Sequence, residues 1–344
     1  MSLTAAPSPS DRPVGIAMIG CGRISASHIE AIQARPALAR LAAVVDADLQ
    51  RAKAVAAQYG APFAFDTLDA ALKLEEVDAV LICTPNALHT EQTLAALSAG
   101  RHVLVEKPMA ENGAAAARME QAADRAGLIL TIGHTFRHSA PIRYVRDHAG
   151  DFGALRAIEV SICVHWDGPQ APWWKDRTPE QGLILSLFAP HALDFVQLFM
   201  DGDDPVRVNV ETARHQSGWQ AEDEAMILLR YPNQRMASVH ISYNQSFVVD
   251  RKTLHFEKAM VRIEDGDFLW VNGDLVIRPD SSGETGGSRM GGRDLSAFFR
   301  IQIEEFVKAV RGQENRSVRQ HEGRRLIDLI DTVLLKGNAN DRSN

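Results

Sequence analysis

Six short apolar runs, at 14–20, 41–46, 62–65, 77–83, 102–105 and 128–132, alternate with stretches of helical periodicity at 23–35, 49–58, 67–72, 88–99 and 113–126. A strand with one face in water would alternate polar and apolar residues. Runs that are apolar on both faces, each followed by a helix, require a parallel sheet covered on both sides. Right-handed crossovers then fix the winding. The expectation is an α/β fold whose first part is a doubly wound Rossmann sheet. Gly100 and Gly127 close the last two helical stretches.

Beyond about residue 150 the period changes. Ile158, Val160, Ile162 and Val164 share one face of a strand, and 206–210, Val239-Ile241-Tyr243, Leu254-Phe256 and Val261-Ile263 repeat the pattern. Period two with a polar opposite face marks a large, mainly antiparallel sheet with one buried side. A helix at 191–200 interrupts the strands, 281–293 is Gly/Ser-rich and reads as a mobile loop, and two helices near 295–310 and 321–335 close the chain. A length of 344 residues exceeds what one core usually holds. The organisation expected is a disordered arm at 1–12, a Rossmann domain at 13–133, and an α+β substrate and oligomerisation domain at 134–344 whose last helices return to the first domain.

Composition excludes some partners. A net charge of −7 argues against a nucleic acid held by phosphate neutralisation. No apolar run approaches the roughly 20 residues that span a bilayer, and the N-terminal residues do not read as a secretory signal. Cys21, Cys83 and Cys163 lie in apolar surroundings without zinc or disulfide spacing, which suits a reducing cytoplasm.

The strongest local motif is Gly20-Cys21-Gly22-Arg23-Ile24-Ser25, placed directly after the first apolar run and opening the first helix. Gly20 permits the tight turn, Gly22 lets the backbone approach a pyrophosphate, and the free amides at Arg23 and Ile24 face that anion. A glycine turn without a ligand is the alternative. Asp46 ends the second run, where a carboxylate can accept both hydroxyls of an adenosine ribose and repel a 2′-phosphate, favouring NAD over NADP. Its alternative role is to cap the helix that follows.

The segment 78–110 carries Thr84-Pro85-Asn86 with His89, then Ala99-Gly100-Arg101-His102-Val103, then Glu106-Lys107-Pro108. Together with the glycine turn these resemble the Gfo/Idh/MocA oxidoreductases, the glucose–fructose oxidoreductase and inositol dehydrogenase family. The resemblance implies cofactor contacts at Thr84, Pro85, Asn86, His89, Glu106 and Lys107. These positions follow the fourth and fifth runs, at the carboxyl edge of the sheet where ligands bind. Lys107 is a cation able to hydrogen-bond a substrate hydroxyl and tune its proton affinity. Glu106 would orient Lys107 or the cofactor. His89 is open between contacting the cofactor and capping or packing its helix.

Residues 181–195 resemble the family segment that brings a histidine and an aspartate to the substrate, matched here by His191 and Asp194. The family aspartate four residues before the histidine is absent: Leu187 stands there. His191 is the general acid/base candidate, since imidazole exchanges protons near neutral pH; a helix-start histidine bonded to backbone is the alternative. Asp194 either fixes that imidazole or caps the helix. His134, Arg137, Trp173 and Trp174 are further substrate candidates, the tryptophans because rings stack on the apolar faces of sugars, with core packing and a solvated charge as alternatives. No metal is expected. The function implied is hydride transfer between NAD and a secondary alcohol or ketone of a sugar, cyclitol or polyol, in a cytoplasmic homodimer or homotetramer. NAD-dependent glycoside cleavage and a non-catalytic dinucleotide sensor are the alternatives.

Overall fold

The computed structural model describes residues 12–166, 168, 174–278, 289–290 and 293–341. The arm expected at 1–12 and the loop expected at 281–293 lie almost wholly outside these residues, and Trp173 lies outside them entirely. The chain divides into two compact units. One comprises Met1–Thr135 and Glu284–Ile327, the other Phe136–Gly283 and Asp328–Asn344.

The first unit begins β1 (Val14–Ile19), α1 (Arg23–Gln33), β2 (Ala39–Val45), α2 (Leu49–Tyr59), β3 (Ala64–Phe65), α3 (Leu68–Leu72) and β4 (Ala79–Ile82). It continues α4 (His89–Ser98), β5 (His102–Val105), α5 (Gly113–Ala126) and β6 (Leu130–Ile132). The strands pair in parallel in the order β3-β2-β1-β4-β5-β6. This is the doubly wound order that the apolar runs require. β1 and β4 are buried at every position. Helix ends follow local chemistry. Asp48 caps α2 through the amides of Gln50 and Arg51, and Asn112 caps α5 through that of Ala115.

The second unit contains α6 (Ala140–Phe152), β7 (Leu155–His165), α7 (Ile184–Leu187), α8 (Ala189–Phe199), β8 (Arg207–Ala213), β9 (Glu224–Arg230) and β10 (Met236–Ser242). β11 (Asn244–Phe256), β12 (Met260–Glu264), β13 (Phe268–Val271) and β14 (Asp274–Ile277) follow. The eight strands run β14-β13-β12-β11-β7-β10-β9-β8, antiparallel except where β7 meets β10. Ile158, Val160, Ile162 and Val164 of β7 are buried as their alternation requires, and α8 covers β7 and β10. Two short strands, β15 (Arg289–Met290) and β16 (Arg293–Asp294), pair with each other. α9 (Ser296–Val310) packs on α1 in the first unit. α10 (Gln320–Asp341) begins in the first unit and ends in the second. Among the described residues no helix is long and apolar enough to cross a membrane. Cys21, Cys83 and Cys163 are buried and free.

Candidate active site

Because the strands of the first sheet are parallel, the turns after β1, β4, β5 and β6 all lie at one edge. Gly20 starts the first of them at φ +92°, and a Cβ there would lie 2.9 Å from the carbonyl carbon of Cys83. Only glycine fits both constraints. Gly22 differs: it is the N-cap of α1, and a Cβ would meet nothing within 4 Å. With no side-chain cap and no acidic residue in its first turn, α1 presents its N-terminal amides and positive dipole end outward. Backbone that can approach closely, open space at Gly22 and uncapped amides are what a pyrophosphate needs, so these residues fit a dinucleotide. Arg23 is exposed and Ile24 half-buried beside them. Ser25 is buried, its hydroxyl donating to the Gly22 carbonyl at 2.6 Å.

Asp46 follows β2. Its Oδ2 accepts from the Cys21 amide at 2.8 Å and its Oδ1 from the Asp48 amide at 2.9 Å, with Arg51 at 3.5 Å. The capping of α2 belongs to Asp48, so the alternative role for Asp46 is set aside. The carboxylate is instead tied to the glycine turn.

After β4, Thr84 donates to Gln92 at 2.6 Å, Pro85 is exposed, and Asn86 is buried at the start of a short 3-10 turn. His89 is 1% exposed, with Nδ1 2.8 Å from the Pro108 carbonyl and Nε2 2.9 Å from the Thr84 carbonyl. Burial lowers its proton affinity, against the pull of the two carbonyls. Of the roles open to it, packing is the one its surroundings support: it laces the turn after β4 to the turn after β5.

After β5, Glu106 Oε1 lies 2.8 Å from His28 Nε2, and Oε2 accepts from the Lys107 amide at 3.1 Å. Burial alone would raise this carboxyl, but the bond and charge of His28, then Lys107, hold it below the usual carboxylate range. His28 was not singled out from sequence. It sits on the buried face of α1 with Ser25, Ile29 and Ile32, its ring edge-on to Phe299 at 4.8 Å. A histidine in the inward stripe of the first helix was the available signal. Lys107 is half-buried, and its peptide bond to Pro108 is cis. Burial lowers the pKa of its ammonium, Glu106 opposes that, and Arg23 reinforces it. An ammonium so placed gives up and regains a proton more readily than one in water. His134 follows β6 and is 3% exposed.

In the second unit, Arg137 and Asp194 form a buried bidentate pair. Nε reaches the two carboxylate oxygens at 3.0 and 2.9 Å, and Nη2 reaches Oδ1 at 2.7 Å. Each residue is 4% exposed. A solvated Arg137 is therefore excluded, and Asp194 stands one turn past the start of α8, where Phe188 is the N-cap. His191 is half-buried, its ring edge-on to Phe136 at 4.9 Å and to Phe188 at 6.1 Å. Leu187, at the position of the missing aspartate, is 5% exposed. Trp174 stacks on Tyr243 at 6.4 Å and tilts against Trp166 at 5.5 Å. Tyr243 in turn touches Phe188 at 5.3 Å, which continues the ring contacts to His191. Trp166 and Tyr243 were not recognised as part of this cluster from sequence, because their partners come from distant strands and loops.

Comparison with known proteins agrees with both units. Residues 14–134 match the oxidoreductase family with an NAD-binding Rossmann fold, and residues 147–262 match the GFO/IDH/MocA C-terminal domain. An inositol 2-dehydrogenase from Arthrobacter sp. is 27% identical over 308 residues, 87% of this chain and 86% of that protein. A 4-carboxy-2-hydroxymuconate-6-semialdehyde dehydrogenase from Sphingobium sp. is 33% identical over 147 residues, 42% of this chain and 46% of the relative. For several curated relatives the matched stretch is about half their length. Among solved structures, a UDP-N-acetylglucosamine 3-dehydrogenase from Acidithiobacillus ferrooxidans superposes with a TM-score of 0.77 at 25% identity, covering 95% of this chain and 98% of that one. The fold and the glycine turn are those of the NAD-binding Rossmann domain of that oxidoreductase family. The chain belongs to the Gfo/Idh/MocA family.

Proposed function

We propose that this protein transfers hydride between NAD and a secondary alcohol or ketone of a sugar, cyclitol or related polyol. The observation that carries the reading is the edge of the parallel sheet, where the uncapped start of α1 and Asp46 follow the neighbouring strands β1 and β2 and Lys107 follows β5, with β4 between β1 and β5. NAD supplies the hydride acceptor when bound. Asp46 selects a free ribose over a 2′-phosphate. Lys107 holds the substrate hydroxyl and, as the neutral amine that burial favours against the charge of Glu106, takes its proton to become the ammonium. His191 is the second proton-handling group, by the family resemblance. Leu187 in place of the family aspartate means that no carboxylate acts from that position, so the relay differs from that of the inositol dehydrogenase branch. Arg137 is the residue that holds Asp194, and the pair braces α8.

Incubation with NAD and a panel of polyols and sugars tests the reading. Net NADH formation with at least one of them is expected. Free sugar without NADH would favour glycoside cleavage, and dinucleotide binding without any turnover would favour a sensor. The two glycines separate fold from binding. Gly20→Ala is expected to destabilise the first unit by about 2 kcal/mol or more, from a forced contact at positive φ. Gly22→Ala keeps its thermal midpoint while its Kd for NAD rises about tenfold or more, because the new methyl occupies space that a pyrophosphate needs. Thermal scans and calorimetry on the two variants check this.

The assembly is a cytoplasmic homodimer or homotetramer. Met226 (56% exposed), Leu228 (57%) and Met236 (49%) project from β9 and β10 on the face of the large sheet away from α8. Met226 and Leu228 stand two apart on β9, and Met236 on β10 pairs with Arg230 next to them; exposed apolar residues grouped on one face suit an interface between copies. Light scattering is expected to give a mass of two or four chains, and Leu228→Lys to shift it toward the monomer.

A further inference from the structure

Glu222 takes no part in the chemistry above, yet it is 8% exposed and spends its carboxylate on main-chain amides. Its Oε1 accepts from Leu183 N at 2.8 Å and Leu185 N at 3.1 Å, and its own carbonyl accepts from Ile184 N at 3.2 Å. These amides open α7, where no carbonyl within the helix can reach them. Leu183, the N-cap, offers no side-chain cap, so a residue 39 positions away supplies it. A negative charge there is also favoured by the helix dipole. From the other side Arg177 donates to the carbonyls of Gln181 and Gly182, and the Ser186 hydroxyl donates to Gln181 as well. The start of α7 is thus gripped at its amides by a carboxylate and at the preceding carbonyls by a guanidinium.

That grip bears on His191. α7 ends at Leu187, Phe188 is the junction, and His191 lies in the first turn of α8. Glu222 also lines a cavity of about 390 Å³, shared with Thr212, Arg214, Gln220 and Asn338. That space admits several waters beside the carboxylate.

We propose that Glu222 is a positioning residue for His191: its carboxylate caps α7 from outside the helix, and a proton delivered through the cavity loosens that cap. The proposal rests on the reading of His191 as a proton-handling group. Burial pushes the Glu222 carboxyl up to about 7, against its amide bonds and the charge of Arg177, which pull it down. Arg177 faces it from the loop before α7, and Arg214 lines the same cavity. Tyr243 follows β10, fully buried, and burial and the charge of Glu222 push its hydroxyl well above the ordinary phenol range. The neighbouring carboxylates are committed elsewhere: Asp223 accepts from the amides of His215 and Gln216 and from Asn244, and Glu224 pairs with His240 and His215. A protonated carboxyl still accepts through one oxygen but without its charge, and charge-assisted bonds are about twice as strong as neutral ones.

NMR of the whole protein with isotope-labelled leucine and histidine tests this. In the wild type the amides of Leu183 and Leu185 titrate together with a midpoint near 7, and the His191 ring shows an inflection at the same pH. Glu222→Gln, whose amide oxygen still accepts both bonds, abolishes the leucine inflection and leaves the His191 ring with only its own titration. Arg177→Gln, which removes a charge that favours the carboxylate, moves the midpoint to higher pH. With a substrate found in the panel, kcat of the wild type carries a fall below the midpoint that is lost in Glu222→Gln, while the limb that reports Lys107 remains. A neutral inflection in Leu183 and Leu185 that survives Glu222→Gln overturns the proposal, as does a His191 titration identical in the two proteins. Full turnover by His191→Asn would instead overturn the role of His191, a failure the leucine titration does not share.

Discussion

Lys107→Met is expected to lower kcat by about 10²- to 10⁴-fold, the range lost when a positioned proton donor or acceptor is removed. The Kd for NAD is expected to change by less than about threefold, since the amides of α1 and Asp46 are untouched. The asymmetry follows from where Lys107 stands. It is half-buried at the end of β5, its proton affinity lowered by burial and raised again by Glu106. Methionine keeps the length of the stem and removes only the ammonium. The same balance gives a sign for Glu106→Gln. With that charge gone, the Lys107 pKa drops further, and the pH limb that reports its deprotonation moves to lower pH. A pH profile of kcat for alcohol oxidation measures both effects. A Lys107→Met enzyme within about threefold of the wild type would remove Lys107 from the chemistry.

Arg137→Leu and Asp194→Leu are each expected to cost about 3–5 kcal/mol of folding stability, because each leaves an uncompensated charge in a site only 4% exposed. The double variant is expected to recover much of that loss. Two apolar side chains there leave no charge behind, and a buried pair often gains little net stability over apolar replacements. Urea unfolding of the two single variants and the double variant gives the coupling directly. Single variants costing less than about 1 kcal/mol would mean that water reaches the pair. The pair also explains why Arg137 and Asp194 could not be assigned from sequence. They are 57 positions apart, and each looks like a pocket charge until its partner is seen.

What the sequence carried best was the first sheet. β5 and α5 have the bounds that periodicity implies, because runs apolar on both faces leave no competing reading. β9 was not recognised because Met226 and Leu228 are apolar on its outer face and erase the alternation. β14, with Leu275 and Val276 exposed, has no inward pattern to read. At the candidate site, the glycine turn could be read from its local chemistry and the Glu106-Lys107-Pro108 turn only through the family resemblance. His28, Glu222 and Tyr243 were not. Each is a polar group whose role is set by a partner from another element, and one chain read along its length does not show which partner that is.

Calorimetric titration of the wild-type protein with NAD, NADH, NADP and NADPH tests the central claim most directly. A saturable heat with NAD and NADH is expected, with the phosphorylated pair at least about tenfold weaker, since Asp46 meets a 2′-phosphate. No heat with any of the four, and no nucleotide released when the purified protein is denatured, would contradict the claim that the turn after β1 holds a dinucleotide.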